Sequence, residues 1–175
     1  MPKSINQKAK LLYIQKFLLE ETDENHPLTV NEIIAKLAGH GINAERKSIY
    51  DDMDTLRDFG LDIICTRGRS NSYLVGERSL ELPELKLLVD SIQSSKFITE
   101  KKTNTLIKKL EKLVSKYDAQ RLQRQVYVSG RIKTMNESIY YTVDAIHNAI
   151  SENKKIKFQY FQWNVKKEME LRHGG

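Results

Sequence analysis

Cysteine is almost missing from this chain: one of its 175 residues, Cys65, carries a thiol. No disulfide can form within the chain, and a single thiol without an evident partner does not make a nucleophile–base couple or a metal cluster. Long apolar runs are missing too. No stretch approaches the roughly 20 apolar residues that span a bilayer, and Met1-Pro2-Lys3-Ser4-Ile5-Asn6 lacks the apolar centre of a signal peptide. A cytoplasmic chain with no membrane partner is expected. There is no glycine-rich phosphate loop, and His26, His40, His147 and His173 are scattered without ligand spacing. No enzyme is expected, no catalytic or metal-ligating residue is assigned and no cofactor is implied. Cys65 is expected as a small apolar side chain in a strand.

What is present is ordinary for a globular chain of one or two domains, with 39% hydrophobic and 30% charged residues. The net charge of +6 suits an anionic partner, but it is unevenly placed. Residues 1 to 80 hold 11 Lys or Arg against 12 Asp or Glu, and the remaining 18 basic and 11 acidic residues follow. Bulk charge therefore does not by itself point to nucleic acid, and the placement of individual cations has to carry that inference.

The most informative stretch is Asn43 to Gly60. Ile49, Met53 and Leu56 recur at helical spacing and define a buried stripe. Arg46, Lys47, Ser48, Tyr50 and Asp51 crowd the N-terminal end, where free N–H groups and the helix dipole favour phosphate. Asn43 is the expected N-cap and Gly60 the expected C′ residue. Upstream, Thr29-Val30-Asn31-Glu32 has the form of a capping box opening a helix with Ile33, Ile34 and Leu37, and Gly39-His40-Gly41-Ile42 turns the chain. Helix, glycine turn, helix is the helix-turn-helix pattern, whose second helix enters the major groove. Downstream, Leu61 to Thr66 and Ser72 to Val75 are expected strands around Arg67-Gly68-Arg69-Ser70-Asn71, a hairpin with a basic tip that would serve as a wing. Asp52, Asp54 and Asp58 stand further along the reader helix.

Lys8 to Glu21 precedes this as an amphipathic helix with Leu11, Ile14 and Leu18 on one stripe and Leu12, Tyr13 and Phe17 beside it; Thr22 to Leu28 is an expected loop. After a boundary near Gly76 to Leu82, Pro83 suits a first helical position, with Leu85, Leu88, Val89 and Ile92 following toward Ser95. Thr99 is expected to cap a further helix with Leu106, Leu110, Leu113 and Tyr117 on a narrow stripe, either packing on the helix before it or meeting a second subunit. Asp118 to Asn136 is expected as a basic connector with Arg121, Arg124, Arg131 and Lys133 around a strand at Val126 to Ser129. Ser138 would cap a helix bearing Ile139, Val143, Ile146 and Ile150. Ile156, Phe158 and Tyr160 alternate as in a half-buried strand, as do Met169 and Leu171.

In this order the segments resemble a WYL-domain transcriptional regulator. The run Glu45-Arg46-Lys47-Ser48-Ile49-Tyr50-Asp51-Asp52-Met53 looks like the family's reader helix, and Ala145-Ile146 through Lys155-Ile156-Lys157-Phe158-Gln159-Tyr160 looks like the opening of its sensor. The resemblance implies an operator-binding winged module and a small Sm-like barrel responding to a nucleotide or oligonucleotide effector. Two departures stand out. Many relatives carry arginine where this chain has Asp51, whose carboxylate can accept from cytosine N4. The Trp-Tyr-Leu tripeptide and everything past the first two sensor strands are absent, so no effector-binding residues carry over.

The expected fold is α+β, mostly α: a winged helix-turn-helix over 1–78, a helical linker over 79–118, and a connector with an incomplete Sm-like β-barrel start over 119–175. The expected activity is sequence-specific binding of double-stranded DNA through Arg46, Lys47, Ser48, Tyr50, Asp51, Arg67, Arg69, Asn71 and Tyr73, by a homodimer that reads two half-sites, with ligand sensing lost or incomplete. The competing expectation is a winged helix used for protein contact, since fold does not dictate function.

Overall fold

The computed structural model describes residues 7–68, 70–125 and 133–172. The expected strand at Val126 to Ser129, with Arg69, Arg131 and His173, lies outside the described residues. The chain is α+β and mostly helical, and it divides into two compact units, Met1–Thr134 and Met135–Gly175. Among the described residues no helix is long and apolar enough to cross a membrane.

The first unit opens with α1 (Gln7–Glu21), β1 (Leu28–Thr29), α2 (Val30–Gly39), α3 (Arg46–Asp58), β2 (Ile63–Thr66) and β3 (Ser72–Val75). The capping box at α2 forms as its sequence implies. Glu32 N–H donates to Thr29 Oγ1 at 3.3 Å, and the Glu32 carboxylate accepts from Thr29 N–H at 2.7 Å. Both α2 and α3 end in the same paired motif. Gly41 (φ +72°) and Gly60 (φ +102°) take the left-handed conformation that closes each helix. Their N–H groups donate to Ala38 and Arg57, and the next N–H groups, of Ile42 and Leu61, reach back to Leu37 and Leu56. An apolar residue just past each glycine is thereby turned inward, and Ile42 is buried. This turn also corrects the expected cap of α3. The chain runs extended through Glu45 (φ −98°, ψ 154°), which sits at the N-cap without a side-chain bond, so Asn43 lies outside the helix.

One core joins Ile14, Phe17 and Leu18 of α1, Ile33 and Leu37 of α2, Ile49, Met53 and Leu56 of α3, and Ile63, Tyr73 and Val75 of the sheet. Most of the expected stripes of all three helices thus bury, with Leu11 and Ile34 half-buried at the edge of the core; Leu12, beside the α1 stripe, stays exposed. The sheet order is β1-β3-β2, antiparallel throughout, with Cys65 opposite Tyr73 and Leu28 on Tyr73's other side. Strand β1 falls at the end of the expected loop; two residues are too few for a period to show. Thr22, fully buried, ties the end of α1 to β3: its hydroxyl donates to Leu18 O at 2.6 Å and accepts from Val75 N–H at 3.1 Å.

The rest of this unit is α4 (Leu82–Ser94), α5 (Glu100–Leu110), a 3-10 turn (Glu111–Leu113) and α6 (Lys116–Gln125) around a second core of Leu85, Val89, Ile107, Val114 and Leu122. Thr99 caps α5 from Lys102 N–H at 3.2 Å, as expected. The single helix expected through Tyr117 is broken, however. Val114 is extended (φ −124°, ψ 175°), and Ser115, fully buried, caps a new helix by accepting from Asp118 N–H at 3.1 Å. The expected stripe is accordingly not the buried one: Ile107 is buried while Leu106 is half-buried, Leu110 packs at the edge of the core and Leu113 is exposed. The first part of the expected connector, residues 118–125, instead belongs to α6.

A polar seam joins the two cores. Glu21 lies between Lys36 (3.0 Å) and Lys116, Asp23 accepts from Ser115 Oγ at 2.9 Å, and the His26 ring stacks on Tyr117 with centroids 3.6 Å apart. Arg78 donates to Leu19 O and Thr22 O, both at 2.8 Å.

The second unit holds α7 (Ile139–Ser151) and a hairpin of β4 (Phe161–Trp163) and β5 (Met169–Leu171), with Phe161 opposite Leu171 and Trp163 opposite Met169. The strand expected from Ile156 is shorter and later: residues 154–160 have no regular structure and are exposed. Alternation marks a two-faced segment, but within this unit no second layer covers the apolar face, so burial does not hold those residues in a sheet.

Met53 is fully buried and Phe59 is 78% exposed. Met53→Ala is expected to destabilise the first unit by about 2–5 kcal/mol in urea unfolding, and Phe59→Ala to leave it nearly unchanged. The seam adds a pH dependence. Burial works to raise the Glu21 and Asp23 carboxyls, but the Lys116 and Lys36 ammonium groups outweigh it at Glu21, and His26 and Ser115 outweigh it at Asp23. Both are held below their ordinary values. Their contribution is complete above about pH 4–5 and is lost as pH falls through the lowered folded values. Glu21→Gln with Asp23→Asn is expected to flatten the acid limb of stability against pH.

Candidate nucleic-acid interface

Helix α3 lies against α1 and α2 by its Ile49, Met53 and Leu56 side, which turns its other side outward. Its seating is completed by a buried charge. The Lys10 ammonium of α1, 8% exposed, reaches Asp52 at 2.8 Å and donates to the Ser48 hydroxyl. A buried ammonium demands such partners, because leaving water unpaired costs several kcal/mol. Ser48, expected as a contact to DNA, is therefore engaged inward by α1.

Arg46, first residue of α3, is exposed, and its guanidinium donates to Asn31 Oδ1 of α2 at 2.9 Å and 3.3 Å. That fork ties the start of α3 to the start of α2, where Asn31 is the second helical residue. Lys47 and Asp51 are exposed one turn apart, and Tyr50 is half-buried against the core. At the far end Arg57 donates to Ile63 O at 3.1 Å and to Asp54 at 2.8 Å, which ties α3 to the hairpin.

In the hairpin, Arg67 is exposed and Asn71 is half-buried, its backbone carbonyl accepting from Val30 N–H at 3.3 Å. Arg69 lies outside the described residues. Tyr73 corrects an expectation: it is 4% exposed and belongs to the core. The period of two places it on the inner face with Val75, so it has no surface to offer a duplex. Burial first, then the neighbouring Cys65 thiol, pushes its phenol up to about 12. Cys65 is half-buried and packs at the edge of the same core.

Arg46, Lys47, Asp51 and Arg67 thus remain exposed, while Ser48, Tyr50 and Tyr73 are partly or wholly withdrawn. Asn31 and Lys10 are the residues that sequence reasoning passed over. Asn31 sits inside the visible capping box, but neither it nor Lys10 carries a local signal for a partner on α3. Among the described residues no cluster of three His, Cys, Asp or Glu side chains is arranged to hold a metal ion. Comparison with family models, with curated proteins and with solved structures gives no match for this chain.

The raised Tyr73 phenol yields an alkaline test. The unfolded phenol ionises near pH 10 and the folded one near 12, so its contribution to stability is whole below about pH 10 and is lost as pH climbs through 12. Tyr73→Phe is expected to remove that part of the alkaline loss in urea midpoints measured from pH 8 to 12.

Proposed function

We propose that the first unit binds double-stranded DNA as a winged helix-turn-helix, with α3 in the major groove and the hairpin at the backbone or minor groove. The observation that carries this reading is the seating of α3. Its apolar side and Lys10 hold it against α1, so Arg46 and Lys47 are exposed at its N-terminal end, and the exposed Arg67 follows in the hairpin. Arg46, Lys47 and Arg67 contact phosphates or base edges, and Asp51 faces the groove floor. Under the same reading the protein is a WYL-type transcriptional regulator in the cytoplasm that pairs as a homodimer on two half-sites. The second unit corresponds to the helix and first strands of an Sm-like sensor barrel, whose effector in relatives of that kind is a nucleotide or oligonucleotide.

A second reading has one specific observation behind it. Asp51, Asp54 and Asp58 are all exposed on α3, and carboxylates suit a basic protein surface better than a polyanion.

Binding of random duplex at low and moderate salt separates the two. Joint replacement of Arg46, Lys47 and Arg67 by Ala is expected to flatten the log–log salt dependence by about 0.9 for each lost phosphate contact. An unchanged slope would move any DNA contact to the more basic residues after 80; no duplex binding at either salt would favour the protein-contact reading.

A further inference from the structure

The exposed face of α3 has an unusual order of charge. At about 100° per residue, Lys47, Asp51, Asp54 and Asp58 fall along the line opposite Ile49, Met53 and Leu56, and all four are exposed. The carboxylates of this helix are differently occupied. Asp52 turns to Lys10 of α1, and Asp54 pairs with Arg57 at 2.8 Å. Among the described residues no salt bridge engages Asp51, which stands one turn beyond Lys47.

A carboxylate brought against DNA is repelled by the phosphates unless a base donor meets it. In the major groove guanine presents acceptors at N7 and O6 and thymine an acceptor at O4. Adenine pairs its N6 donor with an acceptor at N7 on the same base, which repels the second carboxylate oxygen; the cytosine N4 amino group is flanked on its own base by C5–H instead of an acceptor, so a carboxylate can meet it from that side. Building on the DNA-binding reading, we infer that Asp51 is a specificity-determining residue that selects cytosine, with Lys47 on the O6/N7 edge of a nearby guanine. Four residues of helix advance about 6 Å, close to two base-pair steps of about 3.4 Å, so the two bases fall within about two positions of each other. Asp54 and Asp58, further along the line, keep the C-terminal half of α3 clear of the phosphates. The helix enters by its N-terminal end.

Selection of sites from a random duplex library by the full chain tests this, followed by titration of the selected site. The wild type is expected to enrich cytosine at one position and to lose about tenfold in affinity when that base pair is changed. Asp51→Asn is expected to exchange cytosine for adenine, because an amide both donates to N7 and accepts from N6, and to bind non-specific duplex more tightly. Asp51→Ala should lose the cytosine preference without gaining adenine, and Asp58→Asn should keep it. Base preferences that survive both Asp51 substitutions overturn this inference alone. Failure of the wild type to bind any duplex at low salt overturns the DNA-binding reading and this inference with it.

Discussion

The contact on which the outward face of this protein depends is the Lys10 ammonium, buried between Asp52 and the Ser48 hydroxyl. Apolar packing of Ile49, Met53 and Leu56 would tolerate some rotation of α3, since the hydrophobic effect is not directional. A buried charge is less tolerant: turning the helix would strip the ammonium of its partners and leave it desolvated. Lys10 therefore sets the rotation of α3, and with it the line of Lys47, Asp51, Asp54 and Asp58 presented to the outside. Arg57, bonded to Ile63 O, does the same for the other end of the helix.

Helix α1 is the scaffold shared by both cores. Near its start Lys10 holds α3. At its end Glu21 takes Lys36 from α2 and Lys116 from α6, and just beyond it Thr22 fastens β3 while Asp23 takes Ser115. Leu19 O and Thr22 O receive Arg78, which leads toward α4. Each of these groups is polar, and each meets a partner of opposite charge or hydrogen-bonding sense, so the seam between the cores is specified by geometry as well as by apolar area.

Much of the architecture was legible because it is written locally. The Thr29 and Thr99 caps, the glycine at the end of α3 and the stripes of Ile14/Leu18, Ile33/Leu37 and Ile49/Met53/Leu56 all depend on neighbours within four residues or one turn. The break at Val114 was also written locally, in Ser115-x-x-Asp118, but the continuing leucine spacing masked it. Tyr73 was misplaced because a tyrosine just after the polar turn residues Asn71 and Ser72 looks like a surface contact, whereas its place on the inner face of β3 buries it. In the second unit the alternation from Ile156 promised a half-buried strand, and exposure of Phe158 and Tyr160 shows that pattern alone does not supply the layer that would cover it.

By itself, then, the sequence determined that the first three helices form, where α2 begins and α3 ends, which of their sides are apolar, and that a two-strand turn follows the third helix. It did so because hydrogen bonds within a helix and caps at its ends join residues a few positions apart. Tertiary structure alone decided which polar residues remain available. Lys10 removes Ser48 and Asp52 from the surface, Asn31 orients Arg46, and burial removes Tyr73, leaving Lys47 and Asp51 outward. Those choices rest on contacts between residues far apart in the chain, where desolvation makes each buried polar group take a partner wherever the fold brings one.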